Sequence, residues 1–129
     1  MIHELREYTA TPGSAAALHR RFADHTFTLF ARHGIEMVDF WSDRAEPDRI
    51  VYLVRFPDED ARARAWRAFG QDPEWLEVKA ASEAHGPLVA TMTSRVLDRV
   101  PYWEPVPEAA AVLPTEAPAS AGTEPAEAR

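Results

Sequence analysis

The chain has 129 residues, 14 of them basic and 21 acidic, and a formal net charge of −7. This length allows one domain with a single core. Because it contains no cysteine, the sequence excludes disulfides, cysteine-ligated zinc and a thiol nucleophile, and its acidic balance argues against nucleic-acid binding. No apolar run approaches the roughly 20 residues of a membrane span, and the first residues lack a signal-peptide pattern. We therefore expect a soluble, cytoplasmic protein with neither nucleic acid nor membrane as partner.

The composition changes after Trp103. Residues 104–129 hold five of the eleven prolines and carry five glutamates against one arginine, hence a charge of −4. A segment of this kind buries too little apolar surface to offset the entropy of ordering its backbone. We predict a domain at residues 1–103 and a disordered, acidic Pro/Ala/Glu-rich tail at residues 104–129.

Four segments of the domain have the patterns of strands. Residues 2–9 alternate in polarity with period two. Residues 35–42 and 49–56 are rich in β-branched and aromatic side chains and flank a polar loop, which predicts a hairpin. Residues 88–97 predict a last strand.

Three helices are predicted between these strands. The first covers residues 15–33 and ends at Gly34, the second covers residues 57–69, and Asp72 caps a third that begins at Pro73. The side chains expected on their buried stripes are Leu18, Phe22, His25, Leu29 and His33 in the first helix, and Trp75, Val78, Ser82 and His85 in the third.

The order β-α-β-β-α-α-β is that of an α+β, ferredoxin-like split βαβ fold, with an antiparallel four-stranded sheet and helices on one face. We predict that the helix-covered face carries Leu5, Val38, Phe40 and Leu53 because helices pack on apolar side chains. The other face would then be bare. We expect a second copy of the chain to cover it, which makes the protein a homodimer through the sheet face.

Several motifs in this order resemble the NIPSNAP family over residues 2–103. They are Ile2 to Thr9 followed by Pro12-Gly13, His33-Gly34-Ile35 leading into Phe40-Trp41, Val51-Tyr52-Leu53, and Trp66 followed by Asp72-Pro73-Glu74-Trp75. The resemblance implies a dimeric α/β-barrel fold. That superfamily also includes cofactor-free antibiotic-biosynthesis monooxygenases, small-ring cyclases, muconolactone isomerases and haem-dependent enzymes, so the resemblance implies a fold more firmly than a reaction.

The resemblance also implies a pocket between sheet and helices. We predict that His3, His25, Trp75 and Ser82 line it, with His3 and His25 as general acid and base because imidazole titrates near neutrality. The alternative is that the histidines are hydrogen-bonded core or edge residues. Trp66 and Trp75 would either anchor the core or hold a planar substrate between their rings.

On the opposite sheet face we expect Arg6 and Tyr8 together with Trp41 and Tyr52. One interpretation is a site for an anionic ligand that Arg6 clamps. The other, which we favour, is a polar network inside the dimer, with Arg6 paired to Glu4 or another acidic group.

The sequence predicts neither a metal site nor a bound cofactor. It has no His-x-x-x-His or Glu-x-x-His pair, and its five glycines form no nucleotide-binding motif; a haem ligand among the histidines is a minor alternative. Because 13 of the 14 basic residues are arginine, we expect a bacterial source. Our leading hypothesis is a cofactor-independent enzyme that performs proton transfer, cyclisation or oxygenation on a small aromatic or polyketide-like metabolite. The alternative is a non-catalytic binding or adaptor protein that uses the dimer as scaffold.

Overall fold

A computed structural model of the chain describes residues 1–105. Its elements, in chain order, are β1 (Ile2–Ala10), α1 (Ala15–Arg21), a π-helical turn (Phe22–Thr26), α2 (Phe27–Arg32), β2 (Glu36–Ser42), β3 (Arg49–Phe56), α3 (Glu59–Gln71), α4 (Pro73–Ser82) and β4 (Val89–Leu97). All of them belong to one compact unit, Met1–Arg99. The predicted tail lies outside the described residues except for Glu104 and Pro105, so it stays a prediction.

The four strands form one antiparallel sheet in the order β2-β3-β1-β4. In its centre β1 pairs with β3, so that Glu4 lies opposite Val54 and Arg6 opposite Tyr52. The helices pack on one face of this sheet. The predicted α+β ferredoxin-like fold is therefore confirmed.

The core lies between the helices and this face. The alternation along β3 shows which face of the sheet lies under the helices. The buried residues of this strand are Ile50, Tyr52, Val54 and Phe56, and the residues between them are only partly buried. The largest fully buried apolar side chains are Tyr52, Phe30, Phe56, Leu18, Leu29, Ile35, Ile50 and Val54.

The prediction of which side chains of the two central strands face the helices is wrong. Glu4 and Tyr8 lie on the helix-covered face, since they pair with buried residues of β3, whereas Leu5 and Leu53 lie opposite each other on the uncovered face. The prediction failed because β3 is apolar on both faces and because polar side chains of β1 satisfy one another inside the core. Hydropathy alone therefore does not indicate which face of β1 and β3 lies under the helices.

A β-bulge in β2 changes which side chains of that strand reach the core. The register shifts between Met37 and Asp39, and the extra residue, Val38, is 41% exposed. Phe40 then lies opposite Tyr52 on the helix-covered face, as predicted, and its ring stacks on that of Tyr52. The placement of Val38 beside the helices was wrong.

A π-helical turn interrupts the first helix. The backbone N–H of Phe27 donates to the carbonyl of Phe22, five residues earlier, and the Thr26 hydroxyl donates to the carbonyl of Arg21 at 3.2 Å. The wider turn shifts the helix face by about one residue, so that Thr26 is buried and His25 is exposed. The predicted stripe, which assumed an uninterrupted α-helix, is wrong at His25.

The third predicted helix begins as expected and ends earlier. Asp72 accepts a hydrogen bond from the backbone N–H of Glu74 at 2.8 Å and Pro73 is the first helical residue, which confirms the predicted cap. The helix ends at Ser82, so His85 lies beyond it and is exposed. None of the helices within residues 1–105 is both long and apolar enough to cross a membrane.

Candidate functional site

A buried carboxylate, Glu4, organises the helix-covered face. Its side chain is fully buried, Oε2 accepts hydrogen bonds from Arg6 Nε at 2.9 Å and from the Ser94 hydroxyl, and Oε1 accepts from Trp66 Nε1 at 2.8 Å. Burial by itself would raise the pKa of Glu4, but these donors outweigh burial and hold its pKa below the usual value. Glu4 is therefore a fixed anion inside the core.

Arg6 connects this anion to the tyrosines. Its guanidinium stacks on the ring of Trp66 at 3.7 Å from the ring centroid, and Nη1 donates to the Tyr8 hydroxyl at 3.2 Å. Burial acts to lower the pKa of Arg6, whereas its polar neighbours Tyr8, Tyr52 and Glu4 together raise it. Arg6 therefore stays positively charged beside Tyr8.

The hydroxyls of Tyr8 and Tyr52 lie 2.9 Å apart. Burial raises the pKa of Tyr52 well above its usual value, so its phenol keeps its proton. When Tyr52 donates that proton to the Tyr8 oxygen, this oxygen accepts from both Tyr52 and Arg6. The O–H of Tyr8 is then free to donate to another acceptor.

Such an acceptor can bind in a cavity of about 240 Å³ beside Tyr8. The cavity lies between β1 and β4 on one side and the helical layer on the other. Five of its twelve lining residues are aromatic, and the π-helical turn supplies Phe22 and Thr26. The remaining lining residues are Arg21, Phe30, Phe69, Trp75, Lys79, Glu83, Pro87, Val89 and Met92.

The charged residues of this cavity surround Glu83. Arg21 Nη1 donates to Glu83 Oε2 at 3.0 Å and to the Ser82 hydroxyl at 3.1 Å, and Lys79 Nζ donates to Glu83 Oε1 at 3.1 Å. Partial burial would raise the pKa of Glu83, but its two cationic partners lower it below the usual value. One carboxylate is therefore shared by two cations.

The structure brings most of the predicted site residues together, on one face instead of two. Tyr8 and Trp75 line the cavity, and Ser82 holds Arg21 at its charged end. Behind the cavity lie the three other members, Arg6, Tyr52 and Trp66. The polar network that we favoured exists, but it lies under the helices instead of on the uncovered face.

Three predicted site residues lie elsewhere. His3 is on the uncovered sheet face opposite Arg55, where burial and the nearby arginines lower its pKa. His25 lines a neighbouring groove of about 490 Å³ between α1 and α4, which shares Arg21 with the cavity. Trp41 is 45% exposed and pairs with Val51 on the uncovered face. Their predicted roles stay predictions, but the two histidines do not form an acid–base pair.

Sequence reasoning missed Arg21, Lys79 and Glu83 as site residues. Arg21 lies 61 positions before Ser82 in sequence, and its pattern is that of an ordinary exposed helix residue. Only the packing of α1 against α4 gives it partners. Within the described part of the chain no group of three His, Cys, Asp or Glu side chains is placed to hold a metal ion.

Comparison with known proteins agrees with this fold. The model of the NIPSNAP family matches residues 3–103. Among proteins with curated descriptions, none matches the chain in sequence.

Three solved structures illustrate the similarity. A NIPSNAP-like domain protein from Burkholderia xenovorans is 22% identical, with a TM-score of 0.70 over 82% of this chain and 90% of that chain. A NIPSNAP family protein of unknown function from Agrobacterium tumefaciens is 21% identical, with a TM-score of 0.69 over 80% and 91%. SnoaB, a cofactor-independent oxygenase from Streptomyces nogalater, is 22% identical, with a TM-score of 0.55 over 76% and 91%.

Proposed function

The chain belongs to the NIPSNAP family, and we propose that it is a cofactor-independent enzyme acting on a compact aromatic or polyketide-like metabolite. The observation that carries the proposal is Tyr8, which lines the cavity and whose hydroxyl is held by Arg6 and Tyr52. The similarity in fold to a cofactor-independent oxygenase supports it.

Proton transfer, cyclisation and oxygenation share one requirement. In each, an oxygen of the substrate gains negative charge as a neighbouring carbon forms a bond or loses its proton to a water molecule, and in oxygenation dissolved dioxygen is the oxidant. A donor held in place before the reaction stabilises that charge without reorganising, and in a site shielded from water it is worth roughly 10²–10³ in rate. Tyr8 is placed to be this donor, with the cation of Arg6 behind it.

The proposed roles follow the positions of the side chains. Tyr8 donates to the substrate oxygen and Trp75 provides a wall for a planar ring. Arg6, Tyr52 and Trp66 hold Tyr8 from behind. The proposal assigns no step to His3 or His25, because neither lines this cavity.

Replacing Tyr8 by Phe tests the proposal. Small aromatic acids, phenols and polyketide-like compounds are screened for binding by ligand-observed NMR, and bound compounds are assayed for conversion by mass spectrometry in air and under nitrogen. We expect Tyr8→Phe to retain binding within a few fold and to lose about 10²–10³ in kcat. Equal turnover by the wild type and Tyr8→Phe would contradict the assigned role.

We propose in addition that the protein is a homodimer through the uncovered face. This face presents Leu5, Val51 and Leu53 at its centre and the exposed side chains of Trp41 and Leu97 nearer its edges. Charged side chains such as Glu7, Arg55 and Arg95 surround this apolar centre, and an exposed apolar patch with a polar rim is typical of a protein–protein interface. A stable dimer of this type buries roughly 2,000 Å² or more.

The alternative function is a non-catalytic binding or adaptor protein that uses the dimer as scaffold. It is favoured by the fact that the cavity lining, all of it within residues 1–105, contains no histidine. The screen described above separates the two functions. Compounds that bind in the cavity and are never converted would support the adaptor, whereas conversion that depends on Tyr8 would support the enzyme.

A further inference from the structure

The charged end of the cavity holds more positive than negative charge. Of its lining residues Arg21 and Lys79 are cationic, and Glu83 is the one carboxylate. Within residues 1–105, Glu83 is also the only carboxylate within ion-pair distance of either cation. Two cations at this end therefore share one carboxylate, while the next carboxylates, Asp24 and Glu77, lie in the adjoining groove.

Arg21 is nearly buried, yet it shares its one ion-pair partner, Glu83, with Lys79. Its side chain is only 6% exposed, and its Nε is buried without a hydrogen-bond acceptor in the described structure. A buried guanidinium is costly unless negative charge lies close to it. Its Nη1 already contacts Ser82 and Glu83, and the ring of Trp75 lies 5.1 Å from its central carbon. The position of Arg21 is therefore well defined, while its charge is only partly balanced.

The size and the walls of the cavity limit what can bind beside these cations. Its volume of about 240 Å³ is below the roughly 300–1,000 Å³ of pockets that take drug-sized ligands. Phe22, Phe69 and Trp75 present aromatic surface to it. A planar molecule of one or two rings fits this combination.

We infer that the substrate of this cavity is a one- or two-ring aromatic compound that carries a carboxylate, and that Arg21 and Lys79 bind this carboxylate while the ring packs against Trp75. The inference rests on the proposed function, because it names the substrate class of the same cavity. Carboxylates form charge-assisted hydrogen bonds with both kinds of cation. Such an anion would supply the negative charge that this end of the cavity lacks.

Two matched probes test the inference. 2-Naphthoate and 2-naphthamide have the same shape and differ in charge, and their Kd values are measured by titration calorimetry with the full chain at low ionic strength. We expect the naphthoate to bind about tenfold more tightly than the amide, since a hydrogen bond to a charged group accounts for about that factor. High salt should reduce this difference.

Three variants test which side chains cause the naphthoate to bind more tightly than the amide. Lys79→Gln should weaken naphthoate binding about tenfold and leave the amide unchanged. Glu83→Gln should strengthen naphthoate binding several-fold, because it removes the carboxylate that competes for both cations. Arg20→Gln is the control: it changes the net charge by the same amount as Lys79→Gln, but Arg20 lines the neighbouring groove instead of this cavity. It should leave both Kd values unchanged.

The possible outcomes separate this inference from the proposed function. If both probes bind with equal Kd in the wild type and all variants, the carboxylate preference is wrong while the cavity still binds small aromatic molecules. If neither probe binds, both proposals lose their support. Should Glu83→Gln fail to fold, Lys79→Gln still decides the matter, because Lys79 is 49% exposed and its replacement leaves the core intact.

Discussion

The two faces of the sheet differ in how deeply they bury the charged side chains of β1. Under the helices Glu4 is fully buried and Arg6 is 15% exposed, whereas on the uncovered face Glu7 is 34% exposed beside Leu5 and the β3 residue Leu53. In most proteins a helix-covered face is the more apolar one. Here the polar side chains of β1 are buried as a unit because each finds a partner within the unit or on α3.

This difference separates two roles of the sheet. The covered face holds the cavity and the network that fixes Tyr8, and the uncovered face carries the patch through which we propose that a second copy binds. Function and assembly would then depend on alternate residues of the same strand. Substitutions at neighbouring positions of β1 and β3 should therefore have different consequences.

The largest effect is expected at Glu4. Glu4→Gln leaves the cation of Arg6 without its buried anion, and we expect it to lower the free energy of unfolding by about 3 kcal/mol, measured by urea denaturation. The control is Glu7→Gln on the uncovered face. Glu7 lies 3.3 Å from Arg49, both side chains are about one-third exposed, and its replacement should cost less than about 1 kcal/mol. Similar losses for both variants would remove the distinction between the faces.

The next effect is on assembly. Leu53→Asp places a charge at the centre of the uncovered face, and we expect the dissociation constant of the dimer to rise by about 10² or more, with the fold retained. Sedimentation velocity at micromolar concentration, together with circular dichroism, checks both points. Leu76→Asp is the control, because Leu76 is 52% exposed on α4, away from this face. A wild type that sediments as a monomer would refute the dimer itself.

The smallest effect is a pH dependence within the helical layer. A hydrogen bond with His33, followed by contacts with Glu74 and Arg32, lowers the pKa of Asp72 to about 2. Because the folded pKa lies below the unfolded value of about 3.9, this carboxylate contributes stability above pH 4 and loses it as the pH falls towards 2.

Asp72→Asn isolates this contribution, since asparagine keeps an oxygen that can cap α4 and removes the charge. The urea midpoint of the wild type should exceed that of the variant at pH 5, and the gap should narrow as the pH falls to 2. Asp98→Asn, at an exposed position after β4, is the matched control and should show no such narrowing. A gap that stays constant with pH would contradict the assignment.

The sequence predictions are accurate where interactions between neighbouring residues fix the structure, and they fail where local sequence carries no signal. Elements whose ends depend on local chemistry were predicted correctly, as at Asp72 with Pro73 and at Gly34, whose φ of +79° suits a residue without a side chain. The π-helical turn was not predicted, because no residue type in Phe22–Thr26 is specific for such a turn. It moved His25 out of the core and Thr26 into it. The prediction that His25 is buried therefore failed because the spacing of apolar residues does not reveal the turn.

The sequence by itself determined the order of the elements, the family and the residue types of the candidate site. The sequence alone points to Tyr8, Trp75 and Ser82 as site residues, and to Arg6 and Tyr52 as members of the same set. The tertiary structure decided the phase of β1 and β3 and the meeting of Arg21 with Glu83. The physical reason is that alternation within one strand fixes which side chains share a face. Which face is buried depends on partners such as Trp66 and Ser94, which lie 62 and 90 residues from Glu4.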